Sequence, residues 1–266
     1  MIDKLKHTNH INDIELQQLA IKILDQANIV LRKHQVRATD FLTPYYGEAI
    51  AKILKSIQDI NIIHSGGYAS AERKMITIFP DYLMEDTITV PIAFLEITAN
   101  VQFNKLTHRD YLGALLGLGI KREKLGDILI HNENQKQVAQ IIVSEDLKDY
   151  LLYNLCQVGT SNVTINEIPS NKIIAPELDY KEYGANVSSL RLDAVVSAAY
   201  NVTRSVAQEL INKELVRVNW EPIKKCDYEL NCNAVLSIKG KGRVYITEIL
   251  GKTRSNRIKL QFKKPL

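Results

Sequence analysis

Arg204 and Ser205 stand where a short helix near the C-terminus is predicted to begin, and this pair could hold a phosphate group. Thr203, directly before them, is a favoured helix N-cap residue. At a helix start the free backbone N–H groups and the helix dipole attract an anion, and a guanidinium can donate two parallel hydrogen bonds to it. Gln208 recurs four residues after Arg204, on the same predicted helix face. These residues predict a phosphate-binding helix start.

A second set of cations is interleaved with glycines further along the chain. Lys239, Lys241 and Arg243 alternate with Gly240 and Gly242. Because glycine has no side chain, the backbone at this turn can come close to a phosphodiester. Contacts of this kind supply affinity for a nucleic acid but little recognition of its base sequence.

Two predicted strands carry further polar side chains at alternate positions. Arg217 and Asn219 alternate with Val216 and Val218. In the final strand the apolar members are Ile258, Leu260 and Phe262, and the polar members are Arg257, Lys259, Gln261 and Lys263. Successive side chains of a strand point to opposite faces of a sheet, so the pattern predicts a cationic stripe on a β scaffold.

The charge of the chain is divided unevenly between its two parts. Residues 181–266 hold 16 Lys and Arg against 8 Asp and Glu, a balance of +8. Residues 1–180 hold 18 Lys and Arg against 22 Asp and Glu, a balance of −4. A basic domain on an acidic body predicts a polyanionic partner for the C-terminal part, although charge alone also fits a solvated basic surface.

The order of predicted elements indicates an α+β protein of three small domains. We predict a mostly helical N-terminal domain with a short β element over residues 1–87 and a ferredoxin-like middle domain over residues 88–170. A linker over residues 171–187, with Pro176 and Gly184 as breakers, leads to a C-terminal domain over residues 188–266. The C-terminal domain is expected to contain two helices, a β hairpin and further strands.

The middle domain shows the order β-α-β-β-α-β, which many RNA-binding modules share. Such a module stacks bases on aromatic residues of its central strands, but the third predicted strand, Gln137 to Val143, contains no aromatic residue. We therefore do not expect base stacking on this sheet. The loop cations Lys121, Arg122 and Lys124 are a candidate secondary RNA contact, and a solvated loop fits them equally well.

Residues 188–243 resemble the S4 RNA-binding domain, the module named for the fourth protein of the small ribosomal subunit. The matching segments are Arg191-Leu192-Asp193, Arg204-Ser205, Ala207 to Ile211, Val216 to Asn219 and Ser237 to Arg243. Lys213-Glu214 stands where the module usually has glycine, and Asn219-Trp220 stands at its usual Asn-Gly turn. A two-residue type I′ turn needs positive φ at both central residues, which Trp tolerates poorly, so we expect a longer turn or another type.

The residue pattern and the resemblance together predict an RNA-binding face. Its members are Arg191, Arg204, Ser205, Gln208, Lys213, Arg217, Asn219, Lys239, Lys241 and Arg243.

Motifs outside this module extend the resemblance to the YlmH family over essentially the whole chain. They are Gly66-Gly67-Tyr68, Ala71-Glu72-Arg73, His108 to Gly113 and Gly117 to Lys124. The resemblance implies binding to ribosomal RNA of the large ribosomal subunit, with tRNA as a further RNA partner. It implies a role in handling stalled peptidyl-tRNA complexes during ribosome-associated quality control, and a genetic neighbourhood of cell-division genes.

No pattern in the sequence predicts catalysis, a metal site or a cofactor, so we expect a protein that is not an enzyme. Cys156, Cys226 and Cys232 are widely spaced, and the six histidines form no cluster with metal-ligand spacing. Two alternatives stay open. One is an RNA-modifying enzyme whose catalytic part lies unrecognised in residues 1–180, and the other is a protein adaptor linked to cell division.

The apolar segments predict where the protein resides. No run of eighteen apolar residues occurs, and Met1 to His10 is polar, without the apolar core of a signal peptide. We therefore expect a cytoplasmic protein without a membrane partner, monomeric when it is off the ribosome.

Overall fold

The computed structural model describes residues 2–11, 13–100, 105–133, 136–175 and 179–265. The chain divides into two compact units, Met1–Pro176 and Glu177–Leu266. Helices and strands are mixed in both, which confirms the predicted α+β class.

The first part of unit 1 is a helical domain with a small sheet, as predicted. Its elements are α1 (Lys4–Thr8), α2 (Ile14–Lys33), β1 (Arg37–Ala38), α3 (Pro44–Lys55), β2 (Ile60–Ser65) and β3 (Met75–Pro80). The three strands form an antiparallel sheet in the order β1-β3-β2. Asp13 starts α2 by accepting a hydrogen bond from the backbone N–H of Leu16, as its role of N-cap requires. The apolar faces of α2 and α3 pack on β2 and β3 to form one core.

The second part of unit 1 has the ferredoxin-like arrangement. It comprises β4 (Ile92–Asn100), α4 (His108–Gly117), β5 (Leu125–Glu133), β6 (Lys136–Ser144), α5 (Lys148–Asn154), β7 (Gln157–Val158) and β8 (Ser161–Glu167). The antiparallel sheet runs β5-β6-β4-β8-β7, so the predicted order β-α-β-β-α-β is confirmed with one short added strand. Asp110 supports the start of α4 by accepting hydrogen bonds of 2.7 Å from the backbone N–H and the hydroxyl of Thr107.

One face of this middle sheet packs on α4 and α5, and its other face is partly covered by the rest of unit 1. Ile142 on β6 is buried in a cluster with Phe41 and Met75 of the N-terminal domain. Gln140, 1% exposed, donates to the carbonyl of Lys172 at 3.0 Å and accepts from the N–H of Ile174 at 2.8 Å. The face on which an RNA-recognition domain stacks bases is therefore occupied in part by protein.

Unit 2 is a two-layer domain of helices on a sheet. Its elements are β9 (Tyr180–Val187), α6 (Leu192–Tyr200), α7 (Arg204–Asn212), β10 (Val216–Val218), β11 (Glu221–Pro222), β12 (Val235–Ile238), β13 (Gly242–Lys252) and β14 (Ile258–Pro265). The six strands follow the order β11-β10-β12-β13-β14-β9. Both predicted helices are present where the sequence places them.

The structure differs from the predicted linker at residues 180–187. This segment, including Gly184, forms β9 and pairs antiparallel with β14 along its whole length, from Tyr180↔Pro265 to Val187↔Ile258. Tyr183 and Val187 point into the core of unit 2, and burial of these side chains holds the strand in place. Pro176 and the rest of residues 176–178 lie outside the described residues.

The core of unit 2 lies between the helices and one face of the sheet. Val195 and Ile211 from the two helices meet strand residues such as Leu236, Val244 and Leu260, all buried. We call this the inner sheet face, and the opposite one the outer sheet face. Strand residues alternate between the two faces, so the buried valines and leucines determine which of their neighbours point outward.

Candidate nucleic-acid interface

A buried carboxylate organises three of the predicted RNA-binding residues. The side chain of Asp193, 0% exposed, lies in the first turn of α6 and accepts hydrogen bonds from Arg191, Arg204 and Gln208. The guanidinium of Arg204 approaches with Nε at 3.1 Å and Nη2 at 3.2 Å, on different carboxylate oxygens. Gln208 Nε2 lies at 3.0 Å and Arg191 Nε at 3.2 Å. We call these four residues the Asp193 cluster.

The cluster leaves its two cations open to solvent. The side chains of Arg191 and Arg204 are 40% and 51% exposed, although each contacts a carboxylate that has no exposure. Burial alone raises the pKa of Asp193, but hydrogen bonds from Arg191, Arg204 and Gln208 lower it well below its ordinary value. The carboxylate therefore stays ionised and holds two guanidinium groups in place. Because two cations share one anion, the cluster has one net positive charge to offer to a phosphate.

The start of α7 has the geometry that the sequence predicts. Thr203 is the N-cap, and its hydroxyl accepts from the N–H of Val206 at 3.3 Å. Arg204 begins the helix, and Ser205 beside it is exposed. The Asp193 carboxylate thus sets the direction of Arg204 at a helix N-terminus, where an anion is favoured.

The predicted strand residues lie on the other side of the sheet from the helices. Arg217 pairs in register with Ser237, and Ser237 pairs with Arg243. Their neighbours Val216 and Val244 are buried beneath α6 and α7. Arg217 and Arg243 therefore point to the outer sheet face, and they do not form one surface with the Asp193 cluster.

The turn between β10 and β11 has two residues, so the expectation of a longer or different turn is wrong. Val218 pairs with Glu221, and the two central residues have positive φ, 48° for Asn219 and 68° for Trp220. The side chain of Asn219 accepts from the N–H of Val235 at 2.8 Å, and its own N–H donates to the carbonyl of Val235 at 2.8 Å. These bonds to β12 hold the turn in a conformation that Trp by itself disfavours.

The glycine-rich turn between β12 and β13 presents two lysines. Lys239 and Lys241 are exposed, and Gly240 and Gly242 have φ of 83° and 80°. Only glycine adopts this region without strain, so the alternation of Gly and Lys follows from the shape of the turn. Lys213 is also exposed and pairs with Glu209 at the end of α7. Both lysines of the turn are available to a phosphate backbone.

The secondary loop contact is largely engaged within unit 1. Arg122 Nη1 donates to the carbonyls of Leu125 at 2.7 Å and Gly126 at 3.2 Å. Lys124 pairs with Asp40 at 3.1 Å and with Asp146 at 3.0 Å. Lys121 is exposed. Arg122 and Lys124 therefore serve to hold the loop against its own domain.

A second, partly buried carboxylate explains motifs that the sequence alone left without a role. Asp127 on β5 accepts from the hydroxyl of Tyr68 at 2.9 Å and from the backbone N–H groups of Glu72 at 2.7 Å and Arg73 at 3.2 Å. Arg73 in turn donates to the carbonyls of Leu125 and Phe41. Burial, followed by repulsion from a second arginine, lowers the pKa of Arg73 to about 10. These contacts join the N-terminal domain to the middle domain.

The described residues contain neither a membrane-spanning helix nor a candidate metal site. Within those ranges no helix is long and apolar enough to cross a membrane. Nor do any three His, Cys, Asp or Glu side chains in the described part of the chain come together in a way that could hold a metal ion.

Family models match three successive segments of the chain. Residues 15–83 match "YlmH, N-terminal", residues 89–172 match "Putative RNA-binding domain in YlmH", and residues 190–235 match "S4 domain". The Asp193 cluster and the turn between β10 and β11 lie within the S4 match.

The chain is also similar to two individual proteins. A curated relative from Bacillus subtilis (strain 168), named "Ribosome-associated protein quality control protein P2", is 33% identical over 241 residues, which are 91% of this chain and 92% of the relative. A solved structure named "Cell division protein ylmH from Streptococcus pneumoniae" is 25% identical, with a TM-score of 0.49, and the match covers 62% of this chain and 96% of that one. Because two YlmH family models match successive segments and the curated relative is matched along nearly all of its length, the resemblance found in the sequence is confirmed and the chain belongs to the YlmH family.

Proposed function

We propose that this protein binds structured RNA of the large ribosomal subunit through unit 2 and acts there without catalysing a reaction. The observation that carries the proposal is the pair of half-exposed guanidinium groups held by the buried Asp193 carboxylate at the start of α7. Their directions are set before any ligand arrives, so little side-chain freedom is lost on binding. The family membership and the basic charge of residues 181–266 support the same conclusion.

The contacts divide into two groups with different tasks. Arg191 and Arg204 are oriented by Asp193, so they fit a phosphate at a defined position on a folded RNA. Lys239 and Lys241 extend from the glycine-rich turn without such orientation, so they add affinity through charge. The middle domain has a smaller part in this proposal, because its open sheet face is partly covered by protein.

The relative named for ribosome-associated quality control supports a cellular role of that kind for this chain. We propose that it acts in the cytoplasm on large subunits that carry stalled peptidyl-tRNA, with tRNA as a second RNA partner.

The proposal is tested by sedimentation of the purified full chain with purified ribosomal subunits over a series of salt concentrations. We expect co-sedimentation with the large subunit that is lost as salt rises. In the double variant Lys239→Gln with Lys241→Gln, the negative slope of log K against log salt should become less steep, by roughly 0.7–0.9 for each lost phosphate contact.

The matched control changes two exposed lysines of α3 in the acidic unit, Lys52→Gln with Lys55→Gln. It alters the net charge equally and should leave the slope unchanged. Equal slopes for both double variants would overturn the assignment of the glycine-rich turn. Failure of the wild-type protein to sediment with either subunit at low salt would overturn the proposed function.

A further inference from the structure

The outer sheet face of unit 2 carries aromatic and cationic side chains side by side. Arg217 and Arg243 lie in one row across β10, β12 and β13. Tyr245 on β13 pairs in register with Lys263 on β14, two residues further along the same face. Tyr180 lies on this face as well, on the edge strand β9. It stands two residues from Glu182, which pairs in register with Lys263, so the side chains of Tyr180 and Glu182 point to the same side. With strands about 4.8 Å apart, the face extends about 19 Å from β10 to β9.

The rings on this face are held by neighbours and keep part of their surface open. The guanidinium carbon of Arg243 lies 6.0 Å from the centroid of Trp220, and Lys263 Nζ lies 5.6 Å from the centroid of Tyr180. Tyr180 and Tyr245 meet edge to face at 5.9 Å and 86°. Tyr180 is 36% exposed, and Trp220 and Tyr245 are half-buried.

Packing and cation–π contacts, rather than hydrogen bonds, hold these rings in place. The Nε1 of Trp220 is covered and has no acceptor within the described residues, so the indole is held by its turn and by Arg243. An edge-to-face pair such as Tyr180 and Tyr245 leaves the outward face of one ring free to stack. The face thus presents aromatic surface in a fixed orientation, next to positive charge.

We propose that the outer sheet face binds unpaired nucleotides of RNA by stacking their bases on Trp220, Tyr245 and Tyr180. This inference rests on the proposed function, since it assumes that unit 2 binds RNA. It adds a second contact area on the side of the sheet opposite to the Asp193 cluster. RNA-recognition domains stack two or three bases on aromatic residues of a sheet, and a span of about 19 Å suits the same number here.

The alternation of rings and positive charges favours RNA over an acidic or apolar partner protein. Arg217, Arg243 and Lys263 alternate with the rings, which is the pattern of surfaces that track a single-stranded backbone while bases stack. Glu182 also lies on this face, but it pairs with Lys263 at 3.0 Å and so repels a phosphate less than a free carboxylate would. A paired helix would bury its base faces, so the surface is selective for unpaired RNA.

The chain contains a single tryptophan, so Trp220 reports on this surface directly. The experiment titrates the full-length protein with a mixed-sequence single-stranded oligoribonucleotide and, separately, with the same strand annealed to its complement. We expect the single strand to quench the Trp220 fluorescence, and the duplex to bind with a smaller change.

Variants then test the stacking. Tyr245→Leu keeps apolar bulk on the strand but removes the ring, and it should weaken single-strand binding about 5- to 150-fold, the range for loss of one stacked base. Duplex binding should not change. Tyr180→Leu, at the edge strand, is the second variant in case Tyr245→Leu disturbs folding. Tyr153→Leu is the matched control, because Tyr153 belongs to unit 1 and is 85% exposed.

The outcomes separate this inference from the proposed function. Binding of the single strand without quenching, together with wild-type affinity of both Tyr245→Leu and Tyr180→Leu, would overturn the stacking surface alone. If the wild-type protein binds neither RNA nor ribosomal subunits, both proposals fail. Quenching with weaker binding of the tyrosine variants, and not of Tyr153→Leu, supports the stacking surface.

Discussion

The Asp193 cluster allows a sharp prediction, because one buried carboxylate accepts hydrogen bonds from two arginines and a glutamine. The change Asp193→Asn keeps the shape of the side chain but removes its charge. It also turns an NH2 group toward the donors of Arg204 and Gln208, where no acceptor is available. We expect the folded state of unit 2 to lose stability, and the orientation of Arg204 to be lost with it.

The magnitude follows from the contacts and from their exposure. Breaking a buried ion pair costs about 3–5 kcal/mol when the remaining charge stays buried. Arg191 and Arg204 are 40% and 51% exposed, so water can solvate them after the change and the cost is smaller. We expect a loss of about 2–3 kcal/mol in the free energy of unfolding. At a urea dependence of about 1 kcal/mol per M, the midpoint should fall by about 2–3 M.

The assay is urea unfolding followed by the fluorescence of Trp220, the single tryptophan, which lies in unit 2. Asp179→Asn is the control, because Asp179 is exposed and precedes β9. A loss below about 0.5 kcal/mol at pH 7, within the range of ordinary surface substitutions, would refute the organising role of Asp193.

The pH dependence of stability is a second, independent test of the role of Asp193. The pKa of Asp193 is lower in the folded protein than the ordinary value of about 3.9 expected after unfolding. Its contribution to stability is therefore fully present above about pH 5 and is lost as the pH falls below 4. The difference in the free energy of unfolding between wild type and Asp193→Asn should be constant from about pH 5 to 8 and should become smaller below pH 4. A difference that widens in acid would contradict this account.

Two further predictions concern backbone positions with positive φ. Gly67→Ala should destabilise unit 1 by about 1–3 kcal/mol, because φ is +88° and a Cβ there would meet Phe94 at 2.4 Å. Faster hydrogen exchange in β3 and β4 would show this loss of stability, and unchanged exchange would contradict it. Glu214→Gly should stabilise unit 2 by about 0.5–1 kcal/mol, since Glu214 directly follows the C-cap residue of α7 and has a φ of 59°. Urea unfolding followed by Trp220 checks it, and a lower midpoint would show that the pair with Lys224 matters more than the strain.

Local sequence patterns were enough to predict the elements whose signals lie within a few residues. The start of α7 at Thr203 is such a case. The order of elements in the middle domain followed from alternating and helical spacing in the same way. Each of these features depends on residues that are close in the chain.

Features that join distant residues could not be predicted in this way. Asp193, Arg204 and Gln208 meet only after α6 and α7 pack together, so the sequence indicated the arginine but not the carboxylate that orients it. Residues 180–187 resembled a linker because their partner strand is β14, at the far end of the unit. Register with β14 decides their structure, and no local pattern encodes it.

The turn at Trp220 shows a tertiary contact overriding a local preference. A tryptophan with positive φ is disfavoured alone, but the bonds between Asn219 and Val235 hold the two-residue turn. The division of the predicted RNA-binding residues between two sides of the sheet has a similar origin. Arg217 and Arg243 lie on strands, and Arg204 lies on a helix. Their separation becomes visible only when the helices pack on the inner sheet face, because the two strand residues then point to the opposite side.

The most direct test of the central claim is ultraviolet crosslinking of the protein to RNA in living cells, with the crosslinked peptides and RNA identified by mass spectrometry and sequencing. We predict that most crosslinked peptides come from residues 188–265, around the Asp193 cluster and the turn at Lys239 and Lys241, and that the RNA is ribosomal RNA of the large subunit. Crosslinks confined to residues 2–175, or RNA that is not ribosomal, would contradict the claim.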